Sequence, residues 1–307
     1  MKTRSNLERI FEAGHFAVTA EIGSPRNADA EMVREKASLI RDWVDASNVP
    51  DGQAAVVMMA SWAACLVVAQ EGLDPIVQMV CRDRNRIALQ MDILGISALG
   101  LNNVLCLSGD PVSFGDHPEA TPVFDLDSIR LVRMIQGLRD EKKFENGEPM
   151  IGRGPGLFVG AVANPFVDSP EHEVTRVGEK AGAGADFIQT QPVYDVVKFD
   201  KWMEILRRQG LHRRVKILAG ITPLTSVAAA RYMKAKVPEM DVPDEIIERL
   251  RKIRNKEEVA EEGITIAVET IKQLRATEGV AGVHIMTLER EEIIPRICSA
   301  AGLYPRP

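Results

Sequence analysis

Eight short apolar runs recur along this chain, and a stretch with helical periodicity follows each of them. The runs are Phe16–Ile22, Trp43–Val49, Pro75–Cys81, Asn103–Gly109, Leu157–Ala163, Phe187–Val193, Val215–Ile221 and Gly282–Leu288. Several are continuously apolar rather than alternating, which is the pattern of parallel strands covered on both faces. Between them the periodicity predicts helices over Ala30–Asp42, Ala54–Glu71, Arg84–Leu99, Asp127–Arg139, Glu171–Ala183, Val196–Gln209 and Thr225–Ala235. The last interval is longer and carries two more helical patterns, Pro243–Asn255 and Glu257–Thr277. A final helix is expected over about Arg290–Ala300.

Strand then helix, eight times over 307 residues, predicts an α/β fold of the (β/α)8 barrel type. The expectation is a single domain over residues 1–307, with extra helices before the last strand. An open doubly wound sheet is the alternative. The first strand is not followed by GxGxxG, which counts against its dinucleotide-binding form. The Gly/Pro/charge-rich stretch Lys142–Gly156 reads as an excursion from the barrel rather than a boundary.

Composition narrows the function classes. Apolar residues make up 45% of the chain and the net charge is −6. No basic stripe appears, so nucleic acid is not an expected partner. No run reaches ~18 uncharged apolar residues, so no membrane span is expected. The first fifteen residues lack the apolar centre of a secretory signal. Cys65, Cys81, Cys106 and Cys298 have neither metal nor redox spacing, and three lie in apolar runs. They read as buried thiols of a reducing, cytoplasmic setting. The five histidines are scattered, and no metal site is expected.

In such a barrel the active site lies at the C-terminal ends of the strands. The residues there are Glu21; Ser47 and Asn48; Gln78, Arg82 and Asp83; Asp110; Asn164; Gln189, Gln191 and Tyr194; and Glu289 with Arg290. Glu21 interrupts an apolar strand, where an ionised carboxylate is costly without partners. It is either a rim glutamate paired with an arginine or a carboxyl able to donate a proton. Alternation puts Gln189 and Gln191 on one face, where amides serve either as structural bonds or as readers of a ring's edge. Gly109 allows close backbone approach, and Pro111 biases Asp110 toward extended geometry. Asp110 then points into the barrel mouth or caps a turn. His284, inside the eighth strand, reads as a core residue.

VTAEIGSPR, VLCLSGDP, GAVANP with the following PE, GADFIQTQPVYD, LAGITPLTS and HIMTLER with ICSAAGL fall in order on successive strand ends. Together, over about Phe16–Leu303, they resemble the methylenetetrahydrofolate reductase family, in its short bacterial type with one flavin-binding barrel. The resemblance implies reduction of 5,10-methylenetetrahydrofolate to 5-methyltetrahydrofolate through FAD, with FMN as the alternative flavin. It implies that Glu21 is the proton donor and that Asp110 tunes the flavin and stabilises the substrate cation. It places Ser47 near the nicotinamide and Gln78, Ser108, Gly109, Asn164, Arg176 and Lys180 on the flavin. Gln191 and Arg290 fall on folate contacts, and Tyr194 joins them. The electron donor is NAD(P)H or a protein, and the chain is expected as a homo-oligomer or as a subunit of a redox complex.

Some positions depart from the family pattern. Gln78 stands for a histidine and Asn164 for a tyrosine. Pro192, Val193 and Tyr194 replace a run of phenylalanines, and Val227 replaces a stacking phenylalanine. A flavin-free pterin- or folate-binding methyltransferase barrel and a non-catalytic barrel subunit of a redox complex are the competing readings.

Overall fold

The computed structural model of the protein describes residues 2–237 and 240–307. In chain order its elements are α1 (Asn6–Glu12), β1 (Ala17–Glu21), α2 (Ala30–Ile40), β2 (Ala46–Val49), α3 (Ser61–Gln70), β3 (Pro75–Val80), α4 (Arg86–Ala98) and β4 (Asn103–Leu107). They continue with α5 (Ser128–Gln136), β5 (Phe158–Ala163), α6 (Pro170–Ala183), β6 (Phe187–Pro192), α7 (Val196–Arg208) and β7 (Lys216–Ile221). Three helices precede the last strand: α8 (Val227–Lys236), α9 (Asp244–Arg251) and α10 (Lys256–Ala276). β8 (Val280–Ile285) and α11 (Ile294–Ala300) complete the series. Each strand pairs in parallel with the next, and β8 pairs with β1, so the sheet closes into a (β/α)8 barrel.

Alternation sorts the strand residues between two cores. Outward positions such as Val18, Ala20, Val77, Met79, Ile188 and Ile217 pack under the helices. Inward positions change character along the barrel axis. At the N-terminal end Ala17, Ala46, Ile76, Leu105, Phe158, Phe187 and Leu218 form an apolar floor, and Leu7, Ile10 and Phe11 of α1 plug it from below. Above the floor lies a polar layer. Asn48 and Gln189 exchange two amide bonds of 2.8 and 3.0 Å, and Thr19 Oγ1 meets His284 Nδ1 at 2.9 Å. Satisfying these groups in pairs is what lets them stay buried.

Three local expectations need correction. The helix expected over Ala54–Glu71 begins only at Ser61. Other elements claim the backbone N–H groups before it. Asp110 accepts from Ala54, Asp116 from Val57, and Pro25 O from Met59. Ala54 and Ala55 accordingly adopt left-handed φ of 52° and 58°. The eighth strand ends at Ile285 instead of Leu288, because the chain turns away through Leu288 and Glu289 at φ 52° and 69°. Finally, α1 is a helix that the strand-and-helix repeat does not indicate. Its signal was present, since Ser5 caps the helix by accepting from the Glu8 N–H at 3.1 Å in a Ser-x-x-Glu pattern. The stretch Lys142–Gly156 is an excursion closed by an antiparallel bridge, Lys143 to Pro149, and tied to α4 by the Glu145 N–H donating to Gln90 at 2.9 Å. All four cysteines are buried free thiols. Among the described residues, no helix is long and apolar enough to cross a membrane.

Candidate active site

The C-terminal ends of the strands enclose a cavity of about 470 Å³, within the usual size of a small-molecule site. Glu21, Gln78, Ser108, Gly109, Asp110, Arg176, Lys180 and Gln191 all line it. Four other residues that the family resemblance implies do not. Ser47 alternates with the inward Asn48, so it faces the helical layer, and its buried hydroxyl has no hydrogen-bond partner among the described residues. Asn164 turns its side chain to its own loop, accepting from the Phe166 N–H at 3.0 Å. The Tyr194 hydroxyl donates to Thr222 O at 2.9 Å within a separate apolar cluster that includes Leu224 and Ile266. Arg290 follows the left-handed turn after β8 and reaches Glu292 at the surface.

Glu21 is the last residue of β1 and faces inward. Gln78 Nε2, on the inner face of β3, donates to Glu21 Oε2 at 3.3 Å. Burial pushes the Glu21 carboxyl up to about 7, the Gln78 amide works against that rise, and the nearby Glu291 and Glu289 carboxylates add to it. A carboxyl that still holds its proton near neutrality is a competent general acid. His284, on the same inner layer, is pushed down to about 3 by burial and is therefore a neutral imidazole.

One wall is cationic. Arg176 and Lys180 lie one turn apart on α6, so they share a helix face. Lys180 Nζ donates to Val162 O at 2.7 Å and stands 3.7 Å from Glu173. Burial holds its ammonium below the usual range and Arg176 adds to that, while Glu173 opposes it.

The rim is built from three loops held by one guanidinium. Arg82 bonds Asp83 at 2.7 and 2.8 Å, Gly52 O at 3.1 Å and Asp110 O at 3.3 Å, which fixes the ends of β2, β3 and β4 together. Gly109 sits at φ +94°, and a Cβ there would press on Val80 and Arg82 at 3.0–3.1 Å. The Asp110 carboxylate is exposed at the rim and accepts the Ala54 N–H at 3.0 Å.

Asp51, Thr222, His284, Met286 and Leu288 also line the cavity and were not predicted as site residues. For His284 and Met286 the signal was parity: they continue the inward face of β8. Asp51 is committed to structure, paired with Arg84 at 2.6 and 3.1 Å. Thr222 Oγ1 is buried beside the cavity with no partner among the described residues.

Comparison with known proteins gives the family of the chain. The family profile described as methylenetetrahydrofolate reductase matches residues 6–302. A Caenorhabditis elegans protein named probable methylenetetrahydrofolate reductase (NADPH) is 24% identical over 76% of this chain and 33% of its own length. Methylenetetrahydrofolate reductase 2 of Saccharomyces cerevisiae is 31% identical over 67% of this chain and 33% of its own. The chain thus spans about a third of the length of these curated relatives. Among solved structures, an uncharacterized Clostridium thermocellum protein described as binding two copies of 5-methyl-5,6,7,8-tetrahydrofolic acid shares the fold. Its TM-score is 0.66 at 14% identity, over 97% of this chain and 98% of its own. With a profile match across nearly every residue, the chain belongs to the methylenetetrahydrofolate reductase family.

Proposed function

We propose that the protein reduces 5,10-methylenetetrahydrofolate to 5-methyltetrahydrofolate, using a flavin held in the C-terminal cavity. The observation that carries this reading is Glu21, a carboxyl pushed up to about 7 that opens on a ligand-sized cavity beside an amide.

The residues present fit a flavin. The cavity offers a cationic wall for phosphate and a buried Thr222 hydroxyl that has no partner among the described residues. Ser108, Gly109, Gln78, Arg176 and Lys180 would hold it, as FAD or as FMN. When bound, the flavin supplies the hydride that reduces the methylene carbon.

This chain's side chains do the rest. The folate's five-membered ring opens only when its leaving nitrogen is protonated, and Glu21 holds the proton for that step. General acid catalysis of this kind contributes ~10²–10⁴-fold. Opening leaves a cation on the substrate, and the Asp110 carboxylate at the rim stabilises it. Gln191 reads the pterin edge from the inner face of β6. Tyr194, Asn164, Ser47 and Arg290 stand outside the cavity lining, so this mechanism gives them no contact with the reacting atoms. The electron donor is NAD(P)H or a reduced protein. Donor and folate would both have to enter the C-terminal cavity, each in turn, which gives ping-pong kinetics.

The test is reconstitution followed by a single turnover. Purified protein is incubated with FAD or FMN, reduced anaerobically, and mixed with 5,10-methylenetetrahydrofolate. The reading predicts flavin absorbance on the protein and formation of 5-methyltetrahydrofolate as the flavin reoxidises. A protein that takes up neither flavin, or whose reduced flavin forms no methyl product, contradicts it.

A further inference from the structure

A charge cluster outside the cavity lining ties the end of β1 to the loop after β8. Gly23, two residues past Glu21, donates its N–H to Glu291 Oε1 at 2.9 Å. Lys36 of α2 stands 3.2 Å from the same oxygen, donates to Gly23 O at 3.3 Å, and pairs with the Glu289 carboxylate. Glu291 is 3% exposed, whereas the Glu289 side chain is 65% exposed. A Cβ on Gly23 would fall 1.9 Å from Glu289 Oε1, so the carboxylate lies directly over the Gly23 backbone. Glu289 reaches this position from a left-handed backbone. The cluster carries two carboxylates and one ammonium around a single peptide. Its excess negative charge is fixed next to the strand that ends in Glu21.

We propose that Glu291 and Lys36 are positioning residues that act through the Gly23 peptide with opposite sign, together setting the electrostatic potential at the Glu21 carboxyl. The inference rests on the reading of Glu21 as the proton donor. Other groups face Glu21 from each neighbouring element. They are Gln78 on β3, Asn48 on β2 tied to Gln189, and His284 on β8 tied to Thr19. Across the cavity stand Asp51 with Arg84, Arg82, Asp110, Arg176 and Lys180. Among the charged groups of the described residues, Glu289, Glu291 and Lys36 are those that meet the Gly23 backbone just past Glu21. Burial of Glu291 keeps its field poorly screened.

The sign of each substitution follows from Coulomb's law. Glu291→Gln keeps an oxygen to accept the Gly23 N–H but removes a negative charge, so Glu21 ionises at lower pH. Lys36→Met removes the compensating cation, so Glu21 holds its proton to higher pH. The experiment is a ¹³C-carboxyl NMR titration of the full-length chain, with the Glu21 signal assigned by its loss in Glu21→Gln. The expected result is that the two variants bracket the wild type, each displaced by roughly half a pH unit or more. Lys36→Arg returns to the wild-type midpoint, and Glu289→Gln moves with Glu291→Gln by less. Midpoints that coincide with the wild type, or that move in the same direction in Glu291→Gln and Lys36→Met, overturn the proposal. Should Glu291→Gln fail to fold, Glu289→Gln against Lys36→Met makes the same opposed pair. A wild-type protein that forms no methylated folate would remove the proposed reaction while leaving this ordering of midpoints to stand or fall separately.

Discussion

The two ends of the barrel are made by the same eight strands with opposite kinds of side chain. The N-terminal end is closed: Phe158 and Phe187 stack at 5.4 Å between centroids, and Leu7, Ile10 and Phe11 fill the remaining gap. The C-terminal end is open and lined with Glu21, Gln78, Asp110, Arg176, Lys180 and Gln191. Along a single strand the change takes two or four residues: Ala17, Thr19, Glu21 on β1, and Phe187, Gln189, Gln191 on β6. The floor contributes stability through buried area, and the mouth gives some of it back by holding charges away from water. Stability and chemistry are therefore separable along one axis, and substitutions at the two ends should differ in kind.

The largest expected effect is at the mouth. Glu21→Gln lowers the rate of folate reduction by ~10²–10⁴-fold while flavin uptake and flavin reduction by the donor persist, as stopped-flow absorbance will show. The same variant should be more stable than the wild type. Because burial raises Glu21 from its ordinary 4.5 to about 7, its contribution to folding is fully present below pH 4.5 and is lost as pH rises through 7. Glu21→Gln therefore gains on the order of 1–3 kcal/mol at alkaline pH, and the gain vanishes in acid. Denaturant melts at several pH values check this.

Next in size is the floor. Phe187 is fully buried, so Phe187→Ala costs about 3–5 kcal/mol. Turnover per folded molecule, measured below the melting range, should stay near wild type. A large loss of turnover in that folded variant would break the separation of the two ends.

Smaller effects sharpen the description of the mouth. Arg176→Ala should weaken flavin binding about tenfold, or roughly 1.4 kcal/mol, by fluorescence titration. Asp110→Asn should raise the midpoint potential of the bound flavin by on the order of tens of millivolts, since a carboxylate beside the ring disfavours its anionic reduced form. A potentiometric titration with no displacement would place Asp110 away from the ring.

The fold was legible because its signal is a period. Every strand and every helix of the barrel repeat appears near the place its apolar pattern indicates. The misses are local and share a cause. Ala54–Ala60 has helical composition, but Asp110, Asp116 and Pro25 capture its backbone donors, and those partners are distant in sequence. Strand β8 stops early because the chain turns away through the left-handed residues Leu288 and Glu289, and the loop it enters is held by Glu291 accepting the Gly23 N–H. For the cavity lining, strand-end position indicated Glu21 and Gln78, alternation indicated Gln191, and inward parity could have added His284. Family correspondence alone put Ser47 and Asn164 beside the cofactor. Parity sends Ser47 outward, and a local hydrogen bond turns Asn164 to its own loop. The Lys36–Glu289–Glu291 cluster was not legible at all, since no spacing joins α2 to the loop after β8.

The central claim is that Glu21 is a protonated acid serving the substrate at the open end of the barrel. The most direct measurement is the pH dependence of single-turnover reoxidation of the reduced holoenzyme by 5,10-methylenetetrahydrofolate. That rate should hold level in acid and fall through a single ionisation near pH 7, a feature missing from Glu21→Gln. A wild-type rate that is level across that range would contradict it.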